Sequence, residues 1–345
     1  MASRDSTSRP LILAILLLVS SALSAQTALE QVEKEVQRLF DAAKPSVVQI
    51  KAIRENVMPP LAIGTGFFIN SDGLILTSAQ VVSDSNPNDI QVNWDGKKFD
   101  AKRIGFDQRT NLALIQINAK GTPPLKFGDS DTVRVGAMVI GIGYPLNSTI
   151  SPEVGNVSSI DLGQIMRFFA TSHICLTVRV MEGQAGSPLL NTKGEVIGMI
   201  VAAESNGSHS YAIPTAAIKI IQPDLVKYHQ PKYGFVGIGI REETVDPQGN
   251  PLPQPKVLVE HVYPGTSAAM SGIQKGDLIL EINNQPIHQA ADVMNATFYL
   301  RVSDMMTIKV RNVKGEEKTF TIEIGLRPIL PPKQLGDGIP VSQKQ

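Results

Sequence analysis

The stretch Gly183-Gln184-Ala185-Gly186-Ser187-Pro188-Leu189 decides how this chain is read. Two glycines bracket Ala185, so tight backbone bends that a side chain would resist are available on either side of it. Ala185 itself offers no oxygen, sulfur or nitrogen in its side chain. Whether the heptapeptide is a chance turn or one part of a larger design depends on the rest of the chain.

At 345 residues and 42 % apolar content, the chain is long enough for two or three packed domains with ordinary cores. Lys+Arg and Asp+Glu are both 32, and no basic run stands out. No electrostatic field therefore favours nucleic acid or an anionic membrane surface. The lone Cys175 excludes an internal disulfide and has no neighbours at metal-ligand spacing, so it reads as a small buried hydrophobe. Neither a metal nor a cofactor is expected.

Residues 1–25 read as an export signal. Arg4 and Arg9 precede an apolar run from Leu11 to Val19, and the small residues Ser20, Ser21, Ala22, Ser24 and Ala25 follow. The run falls short of the about 20 apolar residues that a membrane-crossing helix needs. The alternative is an uncleaved anchor; in both cases the body of the protein is expected outside the cytoplasm, periplasmic or extracellular. Next, within residues 26–44, Leu29, Val32, Val36, Leu39 and Phe40 recur at helical spacing and predict one amphipathic helix.

From Val47 onward, short strand-like runs alternate with turn signals such as Ser71-Asp72-Gly73 and Asp95-Gly96. Runs at 66–70, 74–77, 90–94, 100–106 and 112–118 form one group. Runs at 138–142, 155–160, 176–180, 195–202 and 211–213 form a second, and a helix over 215–221 closes the domain. Two groups of this kind predict a double β-barrel over residues 45–221. Pro223 and Pro231 mark 222–232 as a linker. A second, α+β domain is expected over 233–327, with a helix at 290–300 and a closing hairpin that turns at Lys314-Gly315. The proline-rich end, 328–345, is expected to be disordered.

Three segments of the first domain resemble those of the HtrA/Deg (DegP-like) serine proteases. Ile75-Leu76-Thr77-Ser78-Ala79-Gln80-Val81-Val82 is similar to the segment in which a histidine precedes two valines. Asp107-Gln108-Arg109-Thr110-Asn111-Leu112-Ala113-Leu114 is similar to the segment with the triad aspartate before Leu-Ala-Leu, and the opening heptapeptide resembles the Gly-x-Ser-Gly-Gly-Pro-Leu nucleophile turn. Gly66-Phe67-Phe68-Ile69, Leu125-Lys126-Phe127-Gly128-Asp129-Ser130, Ile142-Gly143-Tyr144-Pro145 and Tyr211-Ala212-Ile213-Pro214 follow the family order. The resemblance implies an all-β, chymotrypsin-like double β-barrel.

The same alignment puts Gln80 at the histidine position, Asn111 at the aspartate position and Ala185 at the serine position. A glutamine amide takes up no proton near neutral pH, and alanine has nothing to attack with. The resemblance therefore implies no catalytic residue. It leaves Gly183 and Ala185 as a vestigial oxyanion hole, two backbone N–H groups able to hold a carbonyl oxygen if the turn keeps its shape. An open, peptide-holding cleft and a cleft filled by Gln80 and Ser187 are the two outcomes. A relocated triad built on Ser187 would need a base from His173 or His209, the histidines of that domain.

The second domain resembles a PDZ domain. Gly234-Phe235-Val236-Gly237 matches the loop that receives a peptide C-terminus, and Ala291–Ala296 the helix on the other wall. Met294 and Phe298 are candidate groove residues; Val293, Ala296 and Leu300 form the competing stripe. The expected function is an exported, catalytically inactive HtrA/Deg-like protein that binds peptide C-termini or unfolded segments, in a homo-oligomer or as a regulatory subunit of an active relative. The alternatives are a serine endopeptidase with a non-standard site and a purely structural subunit.

Overall fold

The structure, a computed structural model, describes residues 28–54, 57–160, 171–204 and 207–326. The expected export signal and proline-rich end lie outside the described residues. Residues 28–43 form helix α1. Of its apolar stripe, Leu39 is buried near the turn at Gly194, whereas Leu29, 75 % exposed, faces solvent.

Twelve strands follow. They are β1 (Val47–Arg54), β2 (Leu61–Phe68), β3 (Leu74–Ser78), β4 (Ser85–Trp94), β5 (Lys97–Asp107), β6 (Leu112–Ile117), β7 (Met138–Gly143), β8 (Ser151–Ile160), β9 (Ile174–Leu176), β10 (Pro188–Leu190), β11 (Val196–Ala203) and β12 (Ser210–Pro214), with a one-turn helix α2 (Ala79–Val82) after β3. They close into two six-stranded barrels, ordered β1-β2-β3-β6-β5-β4 and β10-β11-β12-β9-β8-β7. This is the chymotrypsin-like double barrel. Asp95 and Gly96 both take left-handed φ, 50° and 72°, the conformation that a two-residue hairpin loop between β4 and β5 requires.

Helix α3 (Thr215–Tyr228) corrects the expected linker at its start, because residues 222–228 are helical despite Pro223. Ala217, Ile218, Ile221 and Leu225 are all fully buried. Proline removes one N–H from the helix ladder, and burial of an apolar stripe running on to Leu225 outweighs that loss.

The remaining elements are β13 (Gly234–Phe235), β14 (Ile238–Val245), β15 (Pro251–Val262), α4 (Ser267–Ser271), β16 (Leu278–Ile282), β17 (Gln285–Pro286), α5 (Ala290–Phe298), β18 (Met305–Arg311), β19 (Glu317–Glu323) and β20 (Gly325–Leu326). One sheet runs β14-β15-β16-β18-β19, with β17 paired to β16, and β13 pairs with β20. Strand β14 is thus an edge of its sheet. The domain's core gathers Val257, Val259, Ile279, Ile282, Val293, Ile308 and Ile322.

The chain forms two compact units. Of the described residues, one holds those within 28–103, 115–158 and 176–215; the other holds those within 104–114, 159–160, 171–175 and 216–326. Among the described residues no helix is long and apolar enough to cross a membrane.

Candidate functional site

The turn Gly183–Leu189 is built as its glycines require. Gly183 and Gly186 adopt φ of +93° and +92°, and a Cβ on Gly186 would stand 2.1 Å from the carbonyl oxygen of Thr65. No side chain fits there. Backbone bonds then fix the chain on both sides: Gln184 N–H donates to Met181 O, Ser187 N–H to Gln184 O at 3.1 Å, and Gly186 N–H to Ile200 O at 2.8 Å. The buried Gln184 side chain adds a further bond, its Oε1 accepting from Met181 N–H.

Thr65, on β2, clamps this turn from the first barrel. Its N–H donates to Ala185 O at 2.9 Å, its hydroxyl donates to Gly183 O at 2.7 Å, and the same oxygen accepts from Tyr144 N–H at 3.0 Å. Two groups are left over. The N–H of Gly183 and the N–H of Ala185 donate to no protein acceptor among the described residues.

Both residues line a groove of about 360 Å³ together with Gln80, Val81, the stretch Val180–Glu182, Ala202 and Ala203, and Arg54, Pro59 and Leu61–Ile63 on the β1–β2 side. The structure thus brings Gln80 and Ala185 to one open groove. Gln80 lies exposed on α2, and its Nε2 donates to Val201 O at 3.3 Å. Asn111 follows the turn Asp107–Thr110 and takes a left-handed φ of 57°, a region that asparagine tolerates better than most residues. Asp107 is held in that turn by Arg109 N–H, Thr110 N–H and the Thr110 hydroxyl, and it accepts the hydroxyl of Tyr233. Burial next to Asp107 pushes the Tyr233 phenol up from its ordinary pKa.

Ser187 does not crowd the groove. It is 1 % exposed, its Oγ makes no hydrogen bond, and it points at Gly143, where a Cβ would come within 2.1 Å of that oxygen. No imidazole contacts it. His173 is buried with Nδ1 2.8 Å from Thr171 O, and burial lowers its pKa to about 4. His209 sits on an exposed hairpin beside Ser208 and Glu204. A relocated triad on Ser187 therefore has no geometry here. Among the described residues no cluster of three or more His, Cys, Asp or Glu could hold a metal.

In the second domain, Gly237 has φ +91°, and a Cβ on it would meet Thr266 Oγ1 at 2.2 Å; one on Gly234 would meet Leu300 O at 2.8 Å. The loop is drawn tight by Tyr263 N–H donating to Gly237 O at 2.9 Å. The N–H groups of Val236 and Gly237 donate to no protein acceptor among the described residues, and β14, the edge strand, follows directly. Phe235 packs on Tyr263, ring centres 5.4 Å apart.

The two apolar stripes along and just beyond α5 are buried differently. Val293 is in the core, and Ala296 and Leu300 pack partly exposed against it with Val236, Ile238 and Ile240. Phe298 is 4 % exposed and closed against Tyr233, ring centres 5.7 Å apart, so it is unavailable to line a groove. Met294 is half-buried and stands outside that apolar cluster. Of the two expected groove residues, Phe298 is closed off because Tyr233 supplies it with an aromatic neighbour that helical spacing cannot reveal, and Met294 stays half-buried.

Comparison with known proteins agrees with this geometry. Residues 64–199 match the family described as trypsin-like peptidase domain, and residues 225–311 match the PDZ domain. A "Probable periplasmic serine endoprotease DegP-like" of Pseudomonas putida is 32 % identical over 278 residues, 77 % of this chain and 57 % of the relative. A protein of the same description from Chlamydia trachomatis is 31 % identical over 293 residues, 81 % of this chain and 56 % of the relative. The chain thus spans little more than half the length of these relatives. Among solved structures, the HtrA-type protease AlgW with tripeptide superposes with a TM-score of 0.72 at 25 % identity, covering 87 % of this chain and 99 % of that one. The serine endoprotease from Yersinia pestis shares the fold, with a TM-score of 0.63 at 24 % identity over 85 % of this chain and 98 % of that one.

Proposed function

We propose that this chain, which belongs to the HtrA/DegP-like family of trypsin-like serine proteases with a PDZ domain, holds extended polypeptide without cutting it. The observation that carries the proposal is the open groove at Ala185, where the N–H groups of Gly183 and Ala185 have no acceptor among the described residues while the side chains at positions 185 and 80 are a methyl group and an amide. In serine proteases, loss of the serine or the histidine alone costs on the order of 10⁶ in turnover, and what remains comes from binding and the oxyanion hole. Here Gln80, Asn111 and Ala185 stand at the three positions that the family motifs assign to the triad, so chemistry is removed and binding is kept.

The PDZ domain supplies a second binding place. The loop Gly234–Gly237 receives a peptide C-terminus on the N–H groups of Val236 and Gly237, the peptide adds as a strand beside β14, and Ile238, Ile240, Ala296 and Leu300 take its apolar side chains. Relatives named periplasmic and the signal-like residues 1–25 support export. In that compartment the chain acts as a scaffold for unfolded proteins, or as a non-cutting subunit beside an active relative.

Incubation of the purified protein with casein, beside an active-site serine probe and a binding measurement on extended peptides, tests this reading. Binding without cleavage or labelling is expected. Cleavage abolished by Ser187→Ala would instead establish an endopeptidase with a non-standard site, the reading that the buried, unpartnered Ser187 disfavours.

A further inference from the structure

The groove beside Ala185 carries a charge that the family motifs do not explain. Among the described residues that line it, Arg54 is the only cation and Glu182 the only anion. Glu182 is exposed and solvated. Arg54 is half-buried: its Nε is enclosed and has no hydrogen-bond partner, and no carboxylate among the described residues pairs with its guanidinium.

An enclosed, charged N–H donor without an acceptor is a standing destabilisation, and in most folded proteins such a group is paired. This one is held on a rigid element. Arg54 ends β1, its N–H donates to Pro60 O at 2.7 Å across the hairpin, and it sits opposite Ser85 of β4. The planar guanidinium fork matches a carboxylate better than any other common group. Beside it the rim is apolar and open: Ile53 is 58 % exposed and Leu61, its cross-strand partner, 41 %.

We propose that Arg54 gives this groove its selectivity, binding the side-chain carboxylate of an aspartate or glutamate within an extended polypeptide segment. The inference rests on the reading of the groove as a peptide site. A segment of this kind satisfies both sets of unpaired donors at once: a main-chain carbonyl accepts from Gly183 and Ala185 N–H, and the acidic side chain accepts from Arg54. A free C-terminal carboxylate can satisfy only one set. Neighbouring apolar residues of the segment cover Ile53 and Leu61. A volume of about 360 Å³ lies at the small end for ligand pockets and suits a few residues of chain rather than a folded partner.

The test uses two libraries of N-acetylated, C-amidated decapeptides, random except for a central Glu in one and a central Gln in the other. Blocked ends exclude capture by the PDZ loop. Binding to the full chain is read by fluorescence anisotropy at low and high salt. The Glu library is expected to bind about tenfold tighter at low salt, with the gap narrowing as salt screens the pair. Arg54→Gln should abolish that preference in a variant that stays folded, with a Tm no lower than the parent's because an enclosed unpaired donor is removed; Arg54→Lys, which keeps charge but loses the fork, should retain part of the preference. Equal binding of both libraries to the parent protein overturns the role of Arg54 and leaves the peptide-holding groove standing. Failure of both libraries to bind overturns the groove reading itself, and this inference with it.

Discussion

The hydroxyl of Thr65 donates to the carbonyl oxygen of Gly183 at 2.7 Å across 118 residues of chain. This bond ties a first-barrel strand to the turn that bears the two free N–H groups. Thr65→Val should leave Gly183 O and Tyr144 N–H without their partner and destabilise the protein by about 2–6 kcal/mol, at roughly 1–3 per buried group. Thr65→Ser keeps the bonds and should stay within about 1 kcal/mol of the parent. Urea unfolding checks both. Blocked-peptide binding should weaken in the valine variant only.

The triad vacancies predict a graded rescue. Ala185→Ser alone restores an oxygen but no base, so casein should remain uncut. Adding Gln80→His and Asn111→Asp should raise cleavage at least about 10³-fold above the parent, on the proposal that the groove holds extended polypeptide. A triple variant with no measurable turnover over extended assays would argue that the three positions are not those of a triad.

His173 predicts a dependence of stability on pH. Burial lowers its folded pKa to about 4, against about 6.5 in an unfolded chain. Above pH 6.5 both states are neutral and the full stability is present. As the pH falls from 6.5 towards 4, the unfolded state binds the proton first and stability is lost, by about 2 kcal/mol at pH 5. Denaturant midpoints of the parent and of His173→Gln at pH 7, 6 and 5 should diverge in slope, the variant being flatter.

Gly237 and Gly249 separate loop function from backbone strain. Both have left-handed φ, +91° and +87°, but a Cβ on Gly237 collides with Thr266 and one on Gly249 meets nothing. Gly249→Ala should cost about 1 kcal/mol and leave peptide binding intact. Gly237→Ala should lower affinity for peptides with a free C-terminus by about tenfold or more, read by anisotropy with such peptides.

The double barrel was legible in advance because alternating runs and glycine turns are local signals, and Asp95-Gly96 dictates its hairpin wherever it is placed. Two elements were not. Strand β10 is three residues long and begins on Pro188, too short for any periodicity, and it exists because β7 and β11 pair with it on both sides. Helix α3 runs past Pro223 because Leu225 is buried, which local propensity cannot register.

What the sequence determined by itself is chemical identity: no hydroxyl at 185, no imidazole at 80, no carboxylate at 111, and glycines where φ must be positive. Those follow from which atoms a residue carries, and folding cannot add any. Tertiary structure alone decided which donors are left unpaired. That Gly183 and Ala185 N–H and the Arg54 guanidinium find no partner among the described residues, and that the Ser187 hydroxyl is turned inward against Gly143, depends on contacts between residues far apart in the chain. Hydrogen-bond satisfaction is a property of neighbours in space, so it became readable only when those neighbours were in place.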